Sequence, residues 1–103
     1  MITITPAAAE QIRASAEQGT MQGLAMRIAA KRNPDGTMHY GMGFDENELD
    51  GDIRVNADGI DVVIGESSHI HLEGTILDYV EIEPETWQFI FMNPNDANYS
   101  PSA

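Results

Sequence analysis

The chain contains no cysteine. That absence removes disulfides, thiolate metal sites and cysteine nucleophiles together. Positive charge is almost as scarce: Arg13, Arg27, Lys31, Arg32 and Arg54 face 17 aspartates and glutamates, for a net charge of -12. A surface of that sign repels nucleic acid and anionic membranes alike. A basic protein partner or a cation suits it better, and the charge also keeps a small protein soluble. Long apolar runs are missing too. No stretch approaches the roughly 20 residues that span a bilayer, and the start "MITITPAAAEQ" lacks the basic opening and long apolar segment of a secretory signal. The expected location is therefore the cytoplasm.

Apolar residues make up 42% of the 103, which suits one globular domain with one core, and the methionines serve as core filler. "MITIT" alternates like a short first strand. Thr5 then supplies an N-cap and Pro6 the first helical position, predicting a helix to about Gln18 that Gly19 ends. Its stripe is thin, with Ala8, Ile12 and Ala16 at spacing four, as suits a helix lying on a larger sheet.

Strands follow. "GLAMRIAA" puts Leu24, Met26 and Ile28 on one side, "MHYGMGF" does the same with Met38, Tyr40, Met42 and Phe44, and the turn "NPDG" predicts that the two form a hairpin. Gly41 and Gly43 fall on the opposite face, so either something packs closely there or that face is open. Beyond the acidic loop "DENELDGD", the turn "NADG" separates "IRV" from "GIDVVIG", and "ILDYVEI" and "TWQFIFM" flank Glu83-Pro84-Glu85.

Several motifs invite chemistry and fail on spacing. The acidic loop holds Asp45, Glu46, Glu48, Asp50 and Asp52, yet with Gly51 at the sixth position of a calcium loop the twelfth is Ala57, where a bidentate glutamate is required. A solvated hairpin loop is the expectation. In "HIHL", His69 and His71 would share a face of a strand and could bind a metal. Ser67 or Ser68 can instead cap a short helix that Gly74 ends, and residues two apart on a helix point to nearly opposite sides. His39 stands alone in "MHYG". No serine sits in a nucleophile elbow, no glycine-rich loop resembles a phosphate cradle, and the acids cluster in loops where no pocket tunes them as an acid-base pair. The reading is not an enzyme.

The order of pieces, "ITITPAAAEQI", "LAMRIAA", "GTMHYGMGF", "DGIDVVI", "EGTILDYV" and "FIFMNPN", resembles the A-type iron-sulfur carriers, the HesB/IscA family, over nearly the whole chain. The resemblance implies a mainly β fold with a small α part, a HesB-like sandwich of mixed β-sheets with an N-terminal helix and a second short helix. It assigns residues 1–95 to the domain. Residues 96–103 form a C-terminal tail, expected to be mobile because Tyr99 is its only apolar anchor.

The carriers hold their cargo through three cysteines, and the resemblance places Asp35 at the first of these positions and Ser100 and Ser102 at the other two. Iron-sulfur clusters are held chiefly by soft thiolates, whereas carboxylate and hydroxyl oxygens are hard. The expectation is that no cluster is ligated, that no cofactor is held, and that no catalytic or metal residue is present. Cysteine-free members resemble the DsrR-like proteins accompanying the dissimilatory sulfite reductase of sulfur-oxidising bacteria. That implies an accessory or regulatory role in sulfur oxidation through contacts with a protein partner, the chain itself being a monomer. The alternative is an iron-binding or iron-delivery module using Asp35, Ser100, Ser102 and a histidine.

Overall fold

The structure is a computed structural model and describes residues 2–21, 23–47 and 49–97. Its elements are β1 (Thr3–Ile4), α1 (Pro6–Gln18), β2 (Ala25–Arg32), β3 (Met38–Asp45), β4 (Ile53–Ala57), β5 (Ile60–Ile64), α2 (Glu66–His69), β6 (Ile76–Glu83) and β7 (Thr86–Met92). They form two mixed sheets, ordered β1-β6-β7 and β3-β2-β5-β4, with β1 parallel to β6 and β2 parallel to β5. Ile4 and Leu77 from the first sheet, Ile28 and Val62 from the second, and Ala8, Ala9 and Ile12 of α1 share one buried core. Among the described residues no helix is long and apolar enough to cross a membrane.

Helix α1 starts as its sequence dictates. The Thr5 hydroxyl accepts from the Ala8 amide at 3.2 Å and donates to Asp78 Oδ1 on β6 at 2.6 Å, so the cap also fastens the helix to the sheet. The stop is displaced by one residue. Gly19 has φ −93°, and Thr20 takes the left-handed conformation at φ 53°. The Thr20 amide bonds Glu17 O at 3.3 Å and the Met21 amide bonds Ala16 O at 2.7 Å, which closes a Schellman motif around a threonine.

The β2–β3 hairpin has the expected alternation. Ile28 opposite Met42 and Ala30 opposite Tyr40 face the core, while Ala29 opposite Gly41 and Lys31 opposite His39 face outward. A Cβ built on Gly41 or Gly43 would meet nothing within 4 Å, so that face is open.

The acidic segment departs from expectation. It is no hairpin loop, because β3 and β4 lie at opposite edges of the sheet and the chain must cross from one to the other. Nor is it simply solvated. Arg27 of β2 binds Asp45 through Nε at 2.5 Å and grips Asp52 through Nη1 at 3.0 Å and Nη2 at 2.7 Å. A bidentate guanidinium fixes carboxylate position as well as charge, so one cation holds the crossover down.

Helix α2 also differs in detail. Its N-cap is Gly65, without a side-chain cap bond. Ser68 is buried, and its Oγ accepts from the Ala30 amide at 3.1 Å. The reason lies in β5, which ends at Ile64 and leaves the Ala30 N–H with no strand partner.

Candidate functional site

The segment after β7 is built by two asparagines. Asn93 is only 1% exposed; its Nδ2 donates to His71 O at 2.7 Å, and its Oδ1 accepts from the Asn95 amide at 2.9 Å. Asn95 Nδ2 donates to Glu73 O at 2.9 Å. The Asp96 amide closes the turn onto Asn93 O at 3.0 Å, with Pro94 occupying the position where a fixed φ helps. "NPND" therefore pins the end of β7 to the link between α2 and β6.

The same segment reaches the β2–β3 hairpin. The Tyr40 hydroxyl donates to Asp96 Oδ2 at 2.8 Å, Arg32 Nη2 donates to Asn95 O at 3.3 Å, and the Ala97 amide donates to Gly36 O at 3.1 Å. Burial, and then Asp96, pushes the Tyr40 hydroxyl up to about 12. Asp96 and Ala97, placed in the tail by the sequence, are thus tied to the domain. Ser100 and Ser102 lie outside the described residues.

Asp35 stands one residue before Gly36 at the tip of this hairpin. Its Oδ1 accepts from the Thr37 hydroxyl at 2.6 Å and from the Thr37 amide at 3.0 Å, and these bonds, the hydroxyl's first, hold its carboxyl below the usual aspartate range. Gly36, at φ 89°, supplies the left-handed residue the turn needs. Chain folding thereby brings the Asp35 loop against Ala97, three residues before Ser100. Positions far apart in sequence share one end of the molecule.

A family model described as iron-sulphur cluster biosynthesis matches residues 1–98. The chain belongs to that family. The iron-sulfur cluster insertion protein ErpA of Acidithiobacillus ferrooxidans is 33% identical over 95 residues, covering 92% of this chain and 76% of that protein. Among solved structures, IscA with the [2Fe-2S] cluster aligns at a TM-score of 0.78 and 25% identity over 94% of this chain and 88% of that one. Escherichia coli SufA, involved in biosynthesis of iron-sulfur clusters, aligns at 0.72 and 25% over 97% and 86%.

Within this family the donor chemistry of the chain is at odds with the cargo. No cysteine exists anywhere in it, so a cluster cannot be ligated by cysteine. The Asp35 carboxylate is engaged by its own loop. Among the described residues no three histidines, aspartates or glutamates gather as a metal site. The histidines separate: His69 lines a cleft with Ile2, Ile53 and Leu72, whereas His71 lines another with Lys31 and His39. The residues present do not fit an iron-sulfur cluster.

Sequence reasoning used "NPN" only as a family signature and missed that Asn93, Asn95, Tyr40 and Asp96 hold this end together. The signal available was an Asn-Pro-Asn-Asp turn directly after an apolar strand. Nothing in the sequence named its partners.

Proposed function

We propose that this chain is an iron-sulfur carrier homologue that has given up cluster ligation and acts as a non-enzymatic accessory or regulatory protein through contacts with a protein partner. The observation that carries the reading is the state of the Asp35 end. The fold still gathers the Asp35 loop and the chain leading to Ser100 and Ser102, but what meets there is oxygen and nitrogen already hydrogen-bonded within the protein. Hard, occupied donors offer no advantage for a sulfide cluster over free solution.

The net charge of -12 supports a basic partner surface and disfavours nucleic acid and anionic membrane. A cytoplasmic monomer that assists dissimilatory sulfur oxidation is the fuller form of the proposal, and it rests on the absence of cysteine and on the resemblance drawn from the sequence alone. The test is anaerobic incubation with ferrous iron and sulfide, followed by desalting, a visible spectrum and iron analysis. The expected protein is colourless and iron-free. A brown chromophore or stoichiometric iron that survives gel filtration overturns the reading in favour of iron delivery.

A further inference from the structure

Charge is distributed very unevenly over this surface. Between the outward face of β2–β3 and α2 runs a groove lined by Lys31, Arg32, His39 and His71, with Ser67 at its wall and Ala29 and Gly41 as its floor. Two of the chain's five lysines and arginines and two of its three histidines meet there. Among the described residues no carboxylate lines it. Three other clefts each include at least one: Glu17 and Asp61 in one, Glu73 in another and Asp45 in the third. Even Glu66, the acid of α2, lies against Gly51 in the acidic crossover.

The geometry favours a small guest. Lys31 and His39 are cross-strand partners, so their Cβ atoms stand about 5 Å apart on one face. Beside them Ala29 and Gly41 leave the sheet bare, and a Cβ at Gly41 would meet nothing within 4 Å. Among the described residues no hydrogen bond or ion pair engages the Lys31 ammonium or the His39 and His71 imidazoles. These donors are available to a ligand.

We propose that this groove binds a compact oxyanion carrying two negative charges. Range decides between that guest and an acidic chain. Screening confines the groove's own field to about 8 Å at physiological salt, which is enough to reach a single ion seated on the floor. An extended acidic peptide would lie mostly outside the groove, over a protein whose net charge is -12, and would be repelled along its length. The inference is independent of the missing cluster.

Titration of the isotopically labelled protein with sodium sulfate, against sodium chloride at matched ionic strength, tests it by amide NMR. Sulfate is the probe because its charge is constant across the usable pH range. Saturable shifts centred on Ala29, Lys31, His39, Gly41, Ser67 and His71 are expected. Lys31→Gln should weaken binding about tenfold, the loss of one charge-assisted contact, with other amide signals in place as proof of folding. Arg13→Gln, which removes the same charge elsewhere, should leave the affinity unchanged. Linear, scattered shifts, or equal weakening by both variants, would overturn the proposal. So would a glutamate octapeptide that binds this groove more tightly than sulfate, since the groove would then be a peptide site.

Discussion

Tyr40 of β3 lies flat on Phe91 of β7, ring centroids 4.3 Å apart and planes within 5°, so that one pair of rings joins the two sheets. The hydroxyl of the same tyrosine ends on Asp96. A single side chain thus couples sheet packing to the start of the tail.

Tyr40→Phe should keep the stack and lose the bond to Asp96, costing about 1 kcal/mol. Tyr40→Ala should cost about 3 kcal/mol, because the ring contact goes too. Urea unfolding of the three proteins checks the order. The tyrosine also predicts an alkaline limb: its hydroxyl sits at about 12 against an ordinary 10.0. Stability from this group is complete below pH 10 and falls as pH rises through 12. Tyr40→Phe should lack that limb.

Arg27 and its two aspartates predict the acid side. The Arg27 guanidinium, and next the Leu49 amide, hold the Asp52 carboxyl down at about 2 from its ordinary 3.8, and the Asn47 amide and Arg27 lower Asp45. A depressed carboxylate contributes stability that is present above its unfolded value and is lost as pH falls through the folded one. Acid denaturation should therefore steepen between pH 4 and pH 2. In Arg27→Gln that limb should flatten and the neutral-pH melting temperature should drop, since Asp45 and Asp52 then lose the guanidinium that bonds both of them. An unchanged acid limb in the variant would refute the clamp.

Ser68→Ala should cost about 2 kcal/mol, more than a surface serine would, because it strands the buried Ala30 N–H. Hydrogen exchange gives the specific readout. The Ala30 amide should exchange faster relative to its neighbours on β2, which keep their strand partners.

Thr75 supplies the opposite case. It is fully buried, and its Oγ1 has no hydrogen-bond partner among the described residues. Thr75→Val replaces that hydroxyl with a methyl of similar size and should gain up to about 1 kcal/mol. A loss measured by thermal or urea unfolding would show that the hydroxyl has a partner.

Much of the fold was legible where the signal is local. Thr5 and Pro6 start α1, the period of two in "MHYGMGF" sorts Met38, Tyr40 and Met42 inward from His39 and Gly41, and "NPDG" turns the hairpin. Local signals misled where a distant partner competed for the same group. Ser68 has the chemistry of a helix cap, but Ala30, 38 residues away, claims its oxygen. Gly19 is a miss of a different, local kind: it has the freedom to end a helix left-handed, yet Thr20 takes that conformation. The acidic loop reads as a solvated turn because nothing adjacent marks Arg27, 18 residues before Asp45, as its anchor.

By itself the sequence determined the donor inventory: with no cysteine among the 103 residues, no arrangement of the chain can create a thiolate. It also determined the strand and helix periods, because those depend on residues a few positions apart. Only the tertiary structure decided what lies beside what. Parallel pairing of β1 with β6 and β2 with β5, the seating of Ala97 on the Asp35 loop, and the gathering of scarce positive charge into one groove all join residues far apart in the chain. Such contacts follow from which buried surfaces and backbone groups satisfy one another in the folded state, a condition set by the whole chain at once.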